Sequence, residues 1–462
     1  MGLDFSFGLS QGLFSSADID SGTRFLLKVF SRILDEDIAN HKTLPRQVLD
    51  SGCGVGVIGI CAAKAIEAAG GKAEIRCQDR DELGCVLTTY NAEINRIPST
   101  ALQAFTEPLL AGEPLPAETE NTHWDLILSN IPAKAGAPVL EDFISRSAGL
   151  LNPGGRIIIV VVHTLADFFR QRITDTGSQI ELEEKSPMHH VFVYGRGREA
   201  EPVKAGAGFI ANNPFYHRDT VDCEIEEIPL HIETVYGAPE FDGPSASTLA
   251  AAKLIRRLGT EKLSAGNSLG ENAGNKKRIL VHEPGQGFFP CFLLEFFKRE
   301  FSLSSHFQNN ANVESYRLPE LILSGRNILA LEACRKNCNF GTIVPIPDLI
   351  LGTDTLLQTA TGDIPQADAE SPVQNTARQY NLIITFPILL PQSSLAKETD
   401  QLSAIWEAIR LLLAVDGIFI ACFNSTDAER FDKRKPKGFI RFGDIKRKGF
   451  RALAYKKMRS EE

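Results

Sequence analysis

No Cys-x-x-Cys pair occurs in the 462 residues; the nine cysteines are scattered, with Cys334 and Cys338 the closest two. A disulfide framework and a zinc site of paired thiolates are therefore not expected, and a reducing cytoplasm suits the chain best. Long apolar runs are missing too. The longest aliphatic stretch, Ile157 to Val162, is far short of the ~20 residues that cross a bilayer, and Met1 to Ser10 has no basic start followed by an apolar core. Membrane insertion and secretion are not expected. Positive charge is in deficit, with 49 Lys and Arg against 58 Asp and Glu and a net charge of −9, which argues against a chain that coats nucleic acid over its whole surface. No Ser-His-Asp or Cys-His arrangement can be recognised. His189-His190 opens a strand with no metal-ligand partners at suitable spacing, so no metal is expected.

What is present is ordinary for a folded protein. Hydrophobic residues make up 43% and charged residues 23%, enough to bury sizeable cores, and the length predicts two or three domains. The acidic average conceals one basic segment. From Arg430 to Lys457 there are twelve Lys and Arg and only two acids, Asp432 and Asp444. Phenylalanines interleave with these cations, a composition able to neutralise phosphates and stack bases, although a charge run is more often a solvated face.

Strands and helices alternate through the first half. Arg24–Leu34 has helical spacing behind candidate caps Asp20, Ser21 and Thr23. Gln47–Asp50 reads as a strand, Val57–Ala69 as a helix, Glu74–Gln78 as a strand and Asp81–Asn95 as a helix. Asp125–Ser129, Arg156–Val162 and His190–Tyr194 complete the strands, with a helix over Glu141–Leu151. This is the pattern of a parallel α/β sheet with helices on both faces, ending near residue 200. The second half repeats it in order. Asp50-Ser51-Gly52-Cys53-Gly54 faces Glu283-Pro284-Gly285-Gln286-Gly287, Asn91 faces Asn337, Asp125–Ser129 faces Asn381–Thr385, and Gly154-Gly155 faces Asp416-Gly417. Two copies are expected, residues 1–200 and 201–462, with polar linkers over Thr260–Asn275 and Gln358–Ala377.

The run Asp50-Ser51-Gly52-Cys53-Gly54-Val55-Gly56 joins a strand to a helix. Its glycines let the backbone turn sharply and approach a ligand, and the following helix offers free N–H groups. A nicotinamide loop would carry G-x-G-x-x-G with its acid after it. Here an acid precedes the glycines and the next strand ends in Asp79, placed to accept hydrogen bonds from a ribose diol. A plain turn, and for Asp79 a helix cap, are the structural alternatives. A buried strand then ends in Asn130-Ile131-Pro132, which can present a side-chain and a backbone carbonyl at the carboxyl edge of the sheet and orient an amine; a strand-ending turn is the alternative.

These residues resemble the class I S-adenosylmethionine-dependent methyltransferases. The resemblance implies tandem Rossmann-like folds with the second degenerate, and S-adenosylmethionine as cofactor. Asp50, Gly52, Cys53, Gly54 and Gly56 would hold its amino-acid end, Asp79 with neighbouring Arg80 its ribose, and Phe105 and Thr106 would lie near its adenine. Asn130, Ile131 and Pro132 match the Asn-Pro-Pro-aromatic motif of enzymes that methylate exocyclic amines, with Ile131 for the first proline and Ala133 for the aromatic. The arm Gly12, Phe14, Asp20, Gly22 and Thr23 resembles that of the two-domain bacterial ribosomal RNA guanine-N2 methyltransferases, which implies RNA as substrate. Those enzymes place the degenerate copy first, whereas here the intact motifs come first. Two other readings stay open: methylation of a small molecule or protein side chain, and a non-catalytic RNA-binding or assembly protein. In copy two, Asp50 is expected to become Glu283, Gly56 to become Phe289, Asp79 to become Gly325 and Asn130 to become Phe386. Asn213-Pro214-Phe215-Tyr216, with no buried strand before it, is expected to be a loop between the copies.

Overall fold

The computed structural model describes residues 3–13, 18–110, 124–196, 213–264, 277–303, 319–361, 379–389 and 400–459. Phe14 of the arm, and residues 265–275 and 362–377 of the two expected linkers, lie outside them. The parts of those linkers that are described are helical rather than irregular.

The chain divides into two units, Met1–His217 with Asn327–Leu329, and Arg218–Arg326 with Ala330–Glu462. In the first unit the strands are β1 Gln47–Ser51, β2 Glu74–Asp79, β3 Leu102–Thr106, β4 Trp124–Asn130, β5 Leu151–Val162, β6 Ile180–Lys185 and β7 His189–Gly195. The helices are α1 Ser21–Ala39, α2 Val57–Ala68, α3 Glu82–Ile94, α4 Ala137–Gly149 and α5 Ala166–Asp175. The seven strands form one sheet in the order β3-β2-β1-β4-β5-β7-β6. Strands β1 to β5 pair in parallel and β7 runs antiparallel to both β5 and β6. Residues Ile157 to Val161 are buried at 1% exposure or less, as a parallel strand covered on both faces requires. Helix starts follow local chemistry: Asp20 caps α1 by accepting from Thr23 N, and Asp81 caps α3 by accepting from Leu83 N.

The second unit opens with a two-stranded ribbon, β8 His217–Ile225 and β9 Ile228–Val235, followed by helix α6 Ala246–Ser264. Its sheet contains β10 Arg278–His282, β11 Glu320–Gly325, β12 Thr342–Pro345, β13 Tyr380–Thr385, β14 Leu413–Asn424, β15 Phe439–Arg447 and β16 Phe450–Lys457. The remaining helices are α7 Phe288–Leu303, α8 Ile328–Cys338, α9 Thr353–Thr361, α10 Gln401–Leu412 and α11 Ser425–Asp432. Strand order is β12-β11-β10-β13-β14-β16-β15, the order of the first sheet. The chain is thus a tandem of Rossmann-like α/β folds.

Strand register corrects part of the expected alignment between the copies. Ser51 pairs with Gln78 and His282 pairs with Ser324; likewise Gly52 N and Glu283 N donate to the carbonyls of Gln78 and Ser324. Glu283 therefore stands where Gly52 stands, not Asp50, and Gly287 answers Gly56. Phe289 lies inside α7, fully buried in the second core, rather than over a cofactor space. The pairings of Asp79 with Gly325 and Asn130 with Phe386 hold. Matching glycines alone misplaced the first pairings, because the loop's backbone shape can be supplied by a different residue.

The basic segment runs from the end of α11 through the β15–β16 hairpin at the edge of the second sheet. Arg434 pairs with Asp400, Arg441 with Asp432, Arg447 with Glu226, Arg451 with Asp444, and Lys456 with Asp416. Much of its charge is internally matched. Asn213-Pro214-Phe215-Tyr216 is also more than a loop: Tyr216 is buried, Arg146 bonds Asn213 Oδ1 at 3.3 Å, and the same guanidinium lies over the Phe215 ring. No described helix is long and apolar enough to cross a membrane.

One buried side chain ties the glycine turn to the chain's opening segment. Asn91, fully buried on α3, donates from Nδ2 to Val55 O and Gly8 O and accepts from Gly8 N at 2.7 Å. Replacing Asn91 with Ala leaves those three backbone groups unsatisfied, and denaturant unfolding is expected to show a loss of about 2–4 kcal/mol.

Candidate functional site at the carboxyl edge of the first sheet

The order β3-β2-β1-β4 changes direction between β1 and β4, so the loops after these strands splay apart and open a crevice at the carboxyl edge of the sheet. The loop after β1 is bent three times into the left-handed region, at Gly52 (φ +77°), Gly54 (φ +56°) and Gly56 (φ +84°). A side-chain carbon on Gly54 would meet nothing within 4 Å, whereas one on Gly56 would press to 2.8 Å on Thr88 Cγ2. Gly54 thus leaves open space over the loop, and Gly56 lets α2 pack on α3.

Asp50 is completely buried behind this loop. Its Oδ2 accepts from Gly59 N at 2.8 Å, while Oδ1 has no partner among the described residues. Burial pushes its pKa up to about 7, against the Gly59 hydrogen bond and helped by the nearby Asp79 charge. Asp50 therefore supports the loop from beneath through Gly59 N, with Oδ1 left for a further donor. Cys53 is buried, 3.5 Å from Thr88 Oγ1. Contact with Cys77, then burial, raises its thiol pKa well above the usual range, so it packs rather than attacks.

Asp79 ends β2 half-buried beside the loop. Its Oδ2 accepts from Gly54 N at 2.9 Å and its Oδ1 from Asp81 N at 3.0 Å. Burial raises its pKa, opposed by these two amides. A carboxylate has about four acceptor sites, so two remain for a diol. Arg80 follows half-buried. Phe105 and Thr106 end β3, the next strand outward. The Arg76 guanidinium covers one face of the Phe105 ring at 3.8 Å, and Thr106 Oγ1 donates to Glu82.

Asn130 ends β4 on the other side of β1. Its Nδ2 donates to Asp20 Oδ2 at 2.7 Å and to Thr23 Oγ1 at 3.0 Å. Ile131 is buried with its N–H on Val160 O, while Pro132 and Ala133 are exposed. The sequence places Asp20 and Thr23 in the arm, but nothing in it shows that they grip Asn130. A further cluster went unread: His190, buried, links His163 Nδ1 and Glu183 Oε1, each at 2.9 Å. Glu183, paired with Arg170 first and His190 after, is held down to about 2.

The second unit fills the corresponding space with its own acids. Glu283 (φ +55°) accepts from Arg326 N at 3.0 Å, and a side chain on Gly325 would meet its carboxylate. A side chain on Gly285 would collide with Glu240 Oε2, a buried oxygen with no partner among the described residues. Gln286 locks the adjoining arm by accepting from Val235 N and donating to the carbonyls of Pro239 and Phe241.

The raised pKa of Asp50 has a testable sign. An acid with a higher pKa folded than unfolded keeps its proton in the folded chain, so stability falls as the pH rises from about 4 to about 7, by up to about 4 kcal/mol. Asp50→Asn removes the ionisation and keeps an acceptor for Gly59 N. Its melting temperature is expected to exceed that of the unaltered chain at pH 8 by more than at pH 5, measured by calorimetry.

Comparison with known proteins agrees with this geometry. Residues 4–192 match the methyltransferase small domain family. The uncharacterised protein YbxB of Bacillus subtilis is 28% identical over 158 residues, covering 34% of this chain and 69% of that protein. Ribosomal RNA small subunit methyltransferase C of Actinobacillus pleuropneumoniae is 29% identical over 152 residues, or 32% of this chain; the chain spans 40% of that relative's length. A T. thermophilus 16S rRNA guanine-N2 methyltransferase, solved with AdoMet and guanosine, superposes over 98% of this chain and 95% of its own with a TM-score of 0.56 at 13% identity, a likeness of fold. The glycine turn and the strand order agree with the match of residues 4–192 to the methyltransferase small domain family, and with the fold of a class I S-adenosylmethionine-dependent methyltransferase.

Proposed function

We propose that the first unit transfers a methyl group from S-adenosylmethionine to an exocyclic amine of RNA, with guanine N2 of ribosomal RNA as the target. The observation that carries this is Asn130-Ile131-Pro132 at the end of β4, one strand from the open glycine turn that follows β1. The residues fit the cofactor: Gly54 leaves the loop uncovered, and Asp79 keeps acceptor capacity at the end of β2. Gly52 and Gly54 would hold the amino-acid end, Asp79 with Arg80 the ribose, and Phe105 and Thr106 the adenine side.

The bound cofactor supplies a methyl carbon on a positively charged sulfur. Asn130 Oδ1 and the Ile131 carbonyl accept the amine's two hydrogens and hold its lone pair toward that carbon, which is catalysis by orientation. Held in this way by Asn130 and Ile131, the amine would take the methyl carbon as its bond to sulfur is given up, leaving the thioether, and its extra proton would pass to solvent. Support for RNA comes from the names of the ribosomal RNA methyltransferase relatives and from four exposed lysines on and beside the basic hairpin, Lys433, Lys437, Lys446 and Lys448, which carry no ion pair among the described residues. Because Ala133 is exposed where the family motif has an aromatic ring, a small-molecule or protein amine is the second reading.

Calorimetric titration of S-adenosylmethionine is expected to show one site per chain, because carboxylates fill the second unit's cleft. Asp79→Ala should bind at least about 10-fold more weakly, since the Gly54 and Asp81 amides lose a charged partner. Changing the four free lysines to Gln is expected to reduce the slope of log affinity against log salt for single-stranded ribosomal RNA by about 3. An unchanged slope would favour the second reading.

A further inference from the structure

Asn130 spends both of its Nδ2 hydrogens within the first unit. They go to Asp20 Oδ2 and Thr23 Oγ1, 110 and 107 positions earlier in the chain. Turning the amide over would set Oδ1 against the Asp20 carboxylate, acceptor against acceptor, so the chemistry of the partner fixes which way the amide points. Asp20 is itself held in place. It caps α1 by accepting from Thr23 N at 3.0 Å, and a side-chain carbon on Gly22 would press to 3.0 Å on Asp20 Oδ2 and 3.1 Å on the His189 ring. The glycine at position 22 is thus a clearance for this carboxylate. Asn130 is left partly exposed, with no described partner for Oδ1.

We propose that Asp20 is a positioning residue that makes Asn130 an obligate hydrogen-bond acceptor, and thereby restricts the reaction to nucleophiles that carry a hydrogen on the attacking nitrogen. The inference rests on the methyl-transfer reading and adds the residue that sets its specificity. With Nδ2 engaged, Asn130 has no donor to offer a ring nitrogen or a carbonyl, so such groups find no partner there. An amine satisfies Oδ1 and keeps its lone pair free. Thr23 shares the task through Oγ1, and the cap geometry of α1 brings both acceptors to the same nitrogen.

A charge swap tests this with a pattern that a purely structural role does not produce. Asn130→Asp sets two carboxylates against one another, and methyl transfer to total ribosomal RNA from cells lacking this protein is expected to fall by about 100-fold. Asp20→Asn alone keeps an acceptor and a helix cap, and should stay within about 10-fold of the unaltered chain. The double variant, Asp20→Asn with Asn130→Asp, restores one donor facing one acceptor but turns that donor toward Thr23 N, which the same Asp20 oxygen caps, so it should regain at least about 10-fold over Asn130→Asp alone. Affinity for S-adenosylmethionine, measured by calorimetry, should stay within about 3-fold throughout. A double variant no more active than Asn130→Asp, or an affinity that falls in step with turnover, would overturn the proposal. A second readout is independent of substrate. In asparagine-labelled intact protein, the Asn130 side-chain amide protons should exchange slowly with water and lose that protection in Asp20→Ala; equal exchange in both would sink the inference. If the unaltered chain transfers no methyl group to RNA while the amide is protected, the RNA reading fails and the positioning of Asn130 stands.

Discussion

The buried side-chain amide of Asn91 is the interaction on which the first unit's working edge depends. Three of its hydrogen bonds reach Val55 O in the glycine turn and both backbone groups of Gly8, so one residue on α3 joins the loop after β1 to the segment that leads into α1. Asn337 repeats the device in the second unit, donating to Gln286 O and Glu233 O and accepting from Glu233 N. Away from water such amide–carbonyl bonds are strong, and a missing partner is costly. In each unit one buried amide thus ties the glycine turn to a segment that precedes the sheet.

The two units share this frame and differ in where they keep a carboxylate. In the first, Asp79 ends β2 and receives the amides of Gly54 and Asp81, leaving the glycine turn bare. In the second, the strand ends in Gly325, and the acid has moved into the turn as Glu283, whose carboxylate lies against that glycine. Glu240 from the arm enters the same region and crowds Gly285. Burial raises the Glu240 pKa, opposed by its bonds to Thr248 and Ser245. The second unit keeps the fold by meeting from within the polar demands that the first leaves open to a ligand.

Much of the first unit was legible in the chain. Strands at Gln47, Glu74, Asp125, Arg156 and His190 are short apolar runs bounded by polar residues, and each falls within an observed strand. The acid–glycine run and Asn130-Ile131-Pro132 come to the same edge of the sheet because parallel strands bring their carboxyl ends together. Helix ends were less legible: α1 extends through Ala39, five residues beyond its expected end. The alignment of Asp50 with Glu283 failed for a physical reason. Glycine identities were taken as the register, yet Glu283 adopts the left-handed conformation of Gly52, so only strand pairing reveals the true correspondence.

By itself the sequence determined what is local or periodic: the alternation of strands and helices, the doubling of the fold, the left-handed turn that three glycines permit, and an amide at the end of β4. Tertiary structure decided what each of those groups faces. It buried Asp50 beneath the loop, neutralised much of the basic hairpin with acids from other elements, and set Asp20 on Asn130 from 110 residues away. Local sequence fixes backbone preference and side-chain chemistry, whereas hydrogen-bond partnership and burial depend on distances that only the folded chain defines.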